Sequence, residues 1–330
     1  MRPRSELFTP ELIVRNYRAK LFSMPNRRVA VLVLLSGSAF AQGIPGVLAP
    51  DAKVELVQEG FLFLEGPVPT ADGGLYFSDL GSANKTYRMD PSGKISVFRE
   101  KTNGMNGLAL LRDGTLVGVE GEGKRVSKVG PDGTPTTLTE GTAARPLIAP
   151  NDLFVNSKGG IYFSDPGQRP ANPPSGPMDF RYVYYLPPGA KEPRLLDAKI
   201  LRPNGLTLTN DGKMLIVDDT LGDTVFAFDV QKDGTVKNQR PFAKLHDIKP
   251  GQASGGDGLT IDRAGRLYVA CSAGLEVFDR KGGYLGTIAV PRQPSNVAFG
   301  GPGKRTLYIT ARQGLYKVQT LTRGPNRPGK

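Results

Sequence analysis

Six stretches of the chain each open on an oxygen-bearing side chain followed by an apolar run: Glu65, Asn106, Asn151, Asn204, Asp257 and Asn296. Two are carboxylates and four are carboxamides. Brought to one point, they would form a cage of hard oxygens, the environment preferred by Ca2+, with Mg2+ or Mn2+ as alternatives and Zn2+ less suited because it favours His or Cys. The chain has one His and one Cys, so a centre of nitrogen and sulfur ligands is not available. No G-x-S-x-G elbow is present and His246 stands alone in the connector "KLHDIKPG", which leaves a Ser-His-Asp hydrolase without a basis. Cys271, inside "LYVAC", reads as a buried structural thiol.

Such a cage requires that residues far apart in sequence start equivalent elements. They do. The units "EGPVPTADGGLYFSDL", "NGLALLRDGTLVGVEG", "NDLFVNSKGGIYFSDP", "NGLTLTNDGKMLIVDD", "DGLTIDRAGRLYVACS" and "NVAFGGPGKRTLYITA" repeat one pattern at spacings of 41, 45, 53, 53 and 39 residues. Each has a polar start, an apolar strand, a turn containing Gly and a second apolar strand. Further strands such as "TYRMD", "ISVFRE", "VFAFDV" and "LEVFDR" occupy the remainder of the intervals.

This pattern predicts an all-β chain folded as a six-bladed β-propeller with four antiparallel strands per blade. The first strand of each blade would line the central channel, so the six polar starts would form a ring. The absence of Trp excludes a WD-type repeat. The last unit supplies three strands, "NVAFG", "TLYIT" and "LYKVQ". The segment "AKVELVQ" at 52–58 is expected to add the fourth and close the ring, hiding an otherwise free edge.

Outside the repeats, residues 1–41 read as a leader containing a secretory signal peptide at 24–41, with Arg27 and Arg28 before an apolar run and Ala39-Phe40-Ala41 as the cleavage signal. Its apolar run is short for a bilayer span, so a periplasmic or secreted product cut near Ala41 is expected. The leader also holds seven Lys/Arg against two acids, which inflates the net charge of +12. No basic stripe interleaved with aromatics marks the remainder, so nucleic acid is not an expected partner. The propeller domain is assigned to 42–322, and 323–330 reads as a basic disordered tail. The Pro/Gly-rich stretch at 165–180 reads as a loop insertion. Asp79, Asp165, Asp218 and Asp219 close second strands, where strand-end hydrogen bonding is the expected role; Asp218 or Asp219 is also placed to support the ring. Oligomeric state is not readable.

The segments around "FLEGPVPTADGGLYFSDL", "IAPNDLFVNSKGGIYFSDPG", "LRPNGLTLTNDGKMLIVDD", "GGDGLTIDRAGRLYVAC" and "PSNVAFGGPGKRTLYITA" closely resemble the senescence-marker-protein-30, gluconolactonase and luciferin-regenerating-enzyme-like family over about residues 50 to 320. The resemblance implies a calcium-dependent propeller lactonase. Glu65 of "EGP", Asn151 of "PND", Asn204 of "PNG" and Asp257 of "GDG" become metal ligands by motif. Asp257 is also the candidate general base for water attacking a sugar lactone or related cyclic ester, with a metal-activated hydroxide as the alternative. Asn106, Asn296 and Glu120 are assigned to substrate binding. The sequence departs from the family at Glu120-Gly121, where many members carry Glu-His, and at Ala149, where mammalian members carry Arg. Sugar preference therefore does not transfer. The competing readings are a phosphotriesterase-like hydrolase using the same site and a non-catalytic periplasmic propeller that binds a ligand or partner.

Overall fold

Val, Ile, Leu, Tyr and Phe concentrate in runs of about five residues, and Asp-Gly or Gly-Gly pairs punctuate them. Those pairs close tight hairpins: Gly114 and Gly212 adopt φ of 85° and 68°, a backbone region that side chains disfavour. The result is six four-stranded antiparallel sheets and one short two-stranded ribbon. The computed structural model describes residues 43–168, 181–246, 248 and 252–327. The expected leader and most of the loop insertion lie outside the described residues. Among the described residues, no helix is long and apolar enough to cross a membrane.

Each sheet is a blade whose innermost strand comes first in sequence. These strands are Leu64–Pro69, Met105–Leu110, Leu153–Val155, Pro203–Leu208, Leu259–Ile261 and Asn296–Gly300. Each packs against the next, and the sixth packs against the first. The chain is a six-bladed β-propeller. The last blade is assembled from Asn296–Gly300, Thr306–Ala311, Gly314–Gln319 and, outermost, Glu55–Glu59 from the other end of the chain. Glu55 faces Lys317 in that pairing, with an ion pair at 3.5 Å.

The core lies between blades. Every junction of neighbouring blades has its own apolar cluster. Met105 and Leu108 meet Val68 between the first and second blades, and Phe163 and Tyr184 meet Val117 and Val119 between the second and third. Tyr308 and Leu315 of the sixth blade meet Leu64 and Phe77 of the first. Each fully buried side chain of this size contributes about 2–3 kcal/mol of transfer free energy, so the ring is held by radial contacts as well as by the strand ladders.

Residues 323–327 correct the expectation of a disordered tail across 323–330; the last three residues lie outside the described set. After the sixth blade the chain crosses the ends of several inner strands. Gly324 N–H donates to the Lys304 carbonyl at 2.9 Å, and Arg263 N–H donates to the Arg323 carbonyl at 2.8 Å. Arg327 donates to the Thr209 carbonyl at 3.0 Å and to Thr207 Oγ1 at 3.2 Å, with its Cζ 4.8 Å from the centre of the Phe154 ring. A guanidinium that finds a carbonyl, a hydroxyl and an aromatic face is held rather than solvated.

Candidate metal and active site

The six polar starts lie at the same end of the inner strands, opposite the end crossed by the tail. In three blades a backbone irregularity falls on this position. Register shifts between Glu65 and Val68, between Met105 and Leu108, and between Pro203 and Leu206. A bulge inserts an extra residue and re-aims the adjoining side chain. It thereby turns Glu65, Asn106 and Asn204 out of the regular pleat. In the third and fifth blades the ladder starts only at Leu153 and Leu259, after Asn151 and Asp257.

Neighbouring blades approach closely at these starts. Gly107 N–H donates to the Asn151 carbonyl at 2.9 Å, and Gly258 N–H to the Ser295 carbonyl at 2.7 Å. Ser78 Oγ donates to the Asn106 carbonyl at 2.8 Å. A Cβ at Gly205 would collide with the Asp257 carbonyl, and one at Gly258 with the Asn296 side chain, which accounts for the glycine that follows both Asn204 and Asp257.

Glu65 is 3% exposed, and its Oε2 accepts from its neighbour Gly66 N–H and from Asn296 Nδ2, both at 3.0 Å. Asn204 is 6% exposed; its Nδ2 donates to Thr220 Oγ1 at 3.1 Å, while its Oδ1 is buried without a hydrogen-bond partner. Asn106 Oδ1 is in the same condition. Burial comes first, and then the charges of Glu65, Asp218 and Asp152, in holding the Asp257 carboxyl well above the usual carboxylate range; Arg312 pulls it back in part. Three further carboxylates therefore act on Asp257 at the channel end, two of which, Asp152 and Asp218, the motif reading did not place in the ring. Asp218 Oδ1 accepts from Gly205 N–H at 3.0 Å, which is the supporting position expected of it.

These donors suit a hard divalent cation. Like charges buried together raise one another's energy unless a cation offsets them, and amide oxygens left without donors are matched to a cation. Among the described residues, no group of three or more His, Cys, Asp or Glu side chains could hold an ion alone, so amide oxygens must contribute to any such set.

Two substrate assignments are corrected. Asn296 is 1% exposed; its Nδ2 is committed to Glu65 and its Oδ1 accepts from Val297 N–H at 2.9 Å. At this burial, with both ends of its amide bonded within the protein, it orients a candidate ligand and does not face a substrate. Glu120 is fully buried, and Oε1 accepts from Ser127 Oγ at 2.7 Å and Arg99 at 3.3 Å. Its Oε2 accepts from Arg125 at 2.8 Å and Asn103 Nδ2 at 3.0 Å.

The repeat explains this role. Asp79, Asp165 and Asp219 close the equivalent strands, and each receives backbone N–H groups from the loop that leads into its own blade: Leu62 and Phe63, Ile148 and Ala149, Leu201 and Arg202. Glu120 is the second blade's version of this clasp. Sequence reasoning missed Thr220 entirely. Its Oγ1 accepts from Asn204 and donates to the Gly256 carbonyl at 2.7 Å, joining a candidate ligand to the residue before Asp257. The only sequence signal is a hydroxyl directly after an Asp-Asp pair.

Residues 63–313 match the family model described as the SMP-30/Gluconolactonase/LRE-like region. A gluconolactonase of Zymomonas mobilis is 28% identical over 310 residues, covering 86% of this chain and 86% of its own length. The pentonolactonase XacC of Haloferax volcanii is 28% identical over 258 residues, covering 76% and 81%. Among solved structures, a gluconolactonase of Xanthomonas campestris superposes with a TM-score of 0.73 at 27% identity, over 87% of this chain and 99% of that one.

Proposed function

The chain belongs to the SMP-30/gluconolactonase/LRE-like family, and on that premise we propose that it is a metal-dependent hydrolase that opens a sugar lactone or related cyclic ester. The lactonase relatives support the reaction class. The observation that carries the metal is the buried, partnerless Asn204 Oδ1 at the channel end where the charges of Glu65 and Asp257 repel.

Glu65, Asn151, Asn204 and Asp257 would hold the cation, Ca2+ in the first instance. Once bound, it would supply a Lewis acid that polarises the lactone carbonyl and favours the charge formed there. The protein supplies the remainder. Asn296 fixes the Glu65 carboxylate, and Thr220 turns the Asn204 amide so that its oxygen is left for the ring. Asn106, whose Oδ1 has no hydrogen-bond partner within the protein, is assigned to orient a sugar hydroxyl. Asp257 is the candidate base that takes the proton of the attacking water at its carboxylate and returns it to the ring oxygen as the ester opens.

The test is a panel of aldonolactones and one phosphotriester, assayed with protein that has been stripped by chelator and then reloaded with Ca2+, Mg2+, Mn2+ or Zn2+. Lactone opening that disappears on stripping and returns with one ion is the expected result. Undiminished turnover after exhaustive chelation would remove the metal from the proposal. Turnover of the phosphotriester alone would replace the substrate class, and saturable ligand binding without any turnover would favour a non-catalytic propeller. A periplasmic or secreted location, from the leader motif, completes the proposal; the N-terminal residue of the exported protein would test it.

A further inference from the structure

Arg312 occupies the two-residue turn between Thr306–Ala311 and Gly314–Gln319, at the metal end of the channel. Its carbonyl accepts from Leu64 N–H at 2.8 Å, one residue before Glu65. Its backbone is left-handed, with φ of 53°. Gly or Asn fills such a turn position with less strain, so the Arg is there against local backbone preference.

The side chain is held on two sides. Its Cζ lies 5.0 Å from the centre of the Phe63 ring, and Nη2 donates to Gln293 Oε1. Gln293 in turn borders Gly255, in the loop that delivers Asp257. Among the described residues, no carboxylate lies within ion-pair distance of Arg312, although most Arg side chains that carry contacts elsewhere on the blades have one. The guanidinium is thus fixed and half-buried at the channel end, tied through Gln293 to the loop that delivers Asp257 and through its own carbonyl to the residue before Glu65, and Asp257 feels its charge.

We propose that Arg312 is a specificity-determining residue that recognises an anionic group on the substrate, so that the preferred lactone carries a phosphate or a second carboxylate remote from the ester. This rests on the lactonase reading above. A planar guanidinium matches either anion through paired N–H donors, and the site that polarises the lactone carbonyl lies within the same mouth.

The experiment compares wild type with Arg312→Asn, an exchange that suits the left-handed turn and so preserves folding, and with Arg312→Lys, which keeps the charge. Rates are measured on neutral D-glucono-1,5-lactone, on its 6-phosphate and on D-glucaro-1,4-lactone; calorimetry follows binding of 6-phosphogluconate and D-glucarate. The expected result is a preference for one anionic lactone in wild type, with its kcat/KM relative to the neutral lactone falling about tenfold or more in Arg312→Asn, mostly through KM. Arg312→Lys should retain part of the preference, and the matching acid should bind about tenfold more weakly to the Asn variant. The phosphate and carboxylate arms identify which anion is read. An unchanged ratio and unchanged binding in Arg312→Asn would overturn the proposal. If no lactone is opened at all, the lactonase reading fails while the binding arm still judges Arg312.

Discussion

The Asn296 amide donates to Glu65 Oε2 at 3.0 Å across 231 positions of sequence, tying the first blade to the last at the point where both meet the channel. Replacing Asn296 by Ala would remove this inter-blade donor from Glu65 Oε2 and loosen the hold on the carboxylate. Supporting residues of this kind typically hold about ten- to a hundredfold of metal affinity. Ca2+ titration of Asn296→Ala should show a loss in that range, and unaltered affinity would mean that Glu65 is fixed by other contacts or does not bind the ion.

Thr220 performs the same service between blades four and five. Thr220→Val keeps the shape but removes both the acceptor for Asn204 Nδ2 and the donor to the Gly256 carbonyl. The Asn204 amide is then free to flip, presenting N–H where an oxygen is needed. Thr220→Val should lose about tenfold or more in Ca2+ affinity, and Thr220→Ser should restore most of it. Equal affinities in the Val and Ser proteins would show that the hydroxyl has no part in positioning the site.

The place of the six polar starts at the heads of the inner strands is legible because the repeat is local: a polar start, a strand and a Gly-containing turn fall within sixteen residues, and six copies superimpose without knowledge of the fold. What each member touches was not legible. Asn296 and Asn106 occupy the same position in their repeats, yet one donates to Glu65 across a blade junction with its oxygen taken by Val297 N–H, and the other has a buried oxygen without a partner. The departure of Glu120 from its expected role has a related reason. Its strand-end position matches Asp79, Asp165 and Asp219, but its longer side chain reaches Arg99 and Arg125, which sequence spacing does not bring together. The charge of the tail gives no sign of the Phe154 face and Thr209 carbonyl that receive Arg327.

Ending the chain after Thr322 would remove Arg327 with its two hydrogen bonds and its aromatic contact. Burial already pulls its guanidinium down to about 10, a sign of how far it is withdrawn from water. Net contributions of about 1 kcal/mol for each hydrogen bond and about 0.5–1 kcal/mol for the ring contact put the share of Arg327 near 2–3 kcal/mol, to which the backbone bonds of Arg323 and Gly324 add. Urea denaturation should show a lower midpoint at unchanged slope, with Arg327→Ala accounting for most of it. An unchanged midpoint in the shortened chain would show that the crossing tail adds nothing to the propeller.

Glu120 gives the fold an acid-sensitive clasp. Burial raises its pKa, but hydrogen bonds from Arg125, Ser127 and Asn103 and the charge of Arg99 outweigh burial, so its value lies below the ordinary 4.5. A depressed carboxylate stabilises the folded state above its unfolded pKa and loses that contribution as pH falls through the folded value. Wild-type stability should therefore decline below about pH 4.5. Glu120→Gln should be less stable at pH 7 by about 3–5 kcal/mol, since it leaves Arg99 buried without a counter-charge, and should decline less steeply in acid. Parallel pH profiles for the two proteins would show that Glu120 is not the group that titrates.

Cys271 offers a probe of the whole ring that does not depend on turnover. It is buried, and burial, followed by the charge of Glu276, raises its thiol to about 12. Thiolate is the reactive form, so at pH 8 the thiol is both scarce as thiolate and sealed from reagent. Labelling by a disulfide reagent should therefore proceed only through opening of the fold and should be complete at once in denaturant. A cation that binds the folded state alone lowers the population of opened molecules in proportion to its saturation, so added Ca2+ should slow labelling of the chelator-treated protein and Asn296→Ala should blunt that effect. Rapid labelling in native buffer would show that Cys271 is reached without opening; slow labelling indifferent to Ca2+, Mg2+ and Mn2+ alike would show that no cation couples to the stability of these blades.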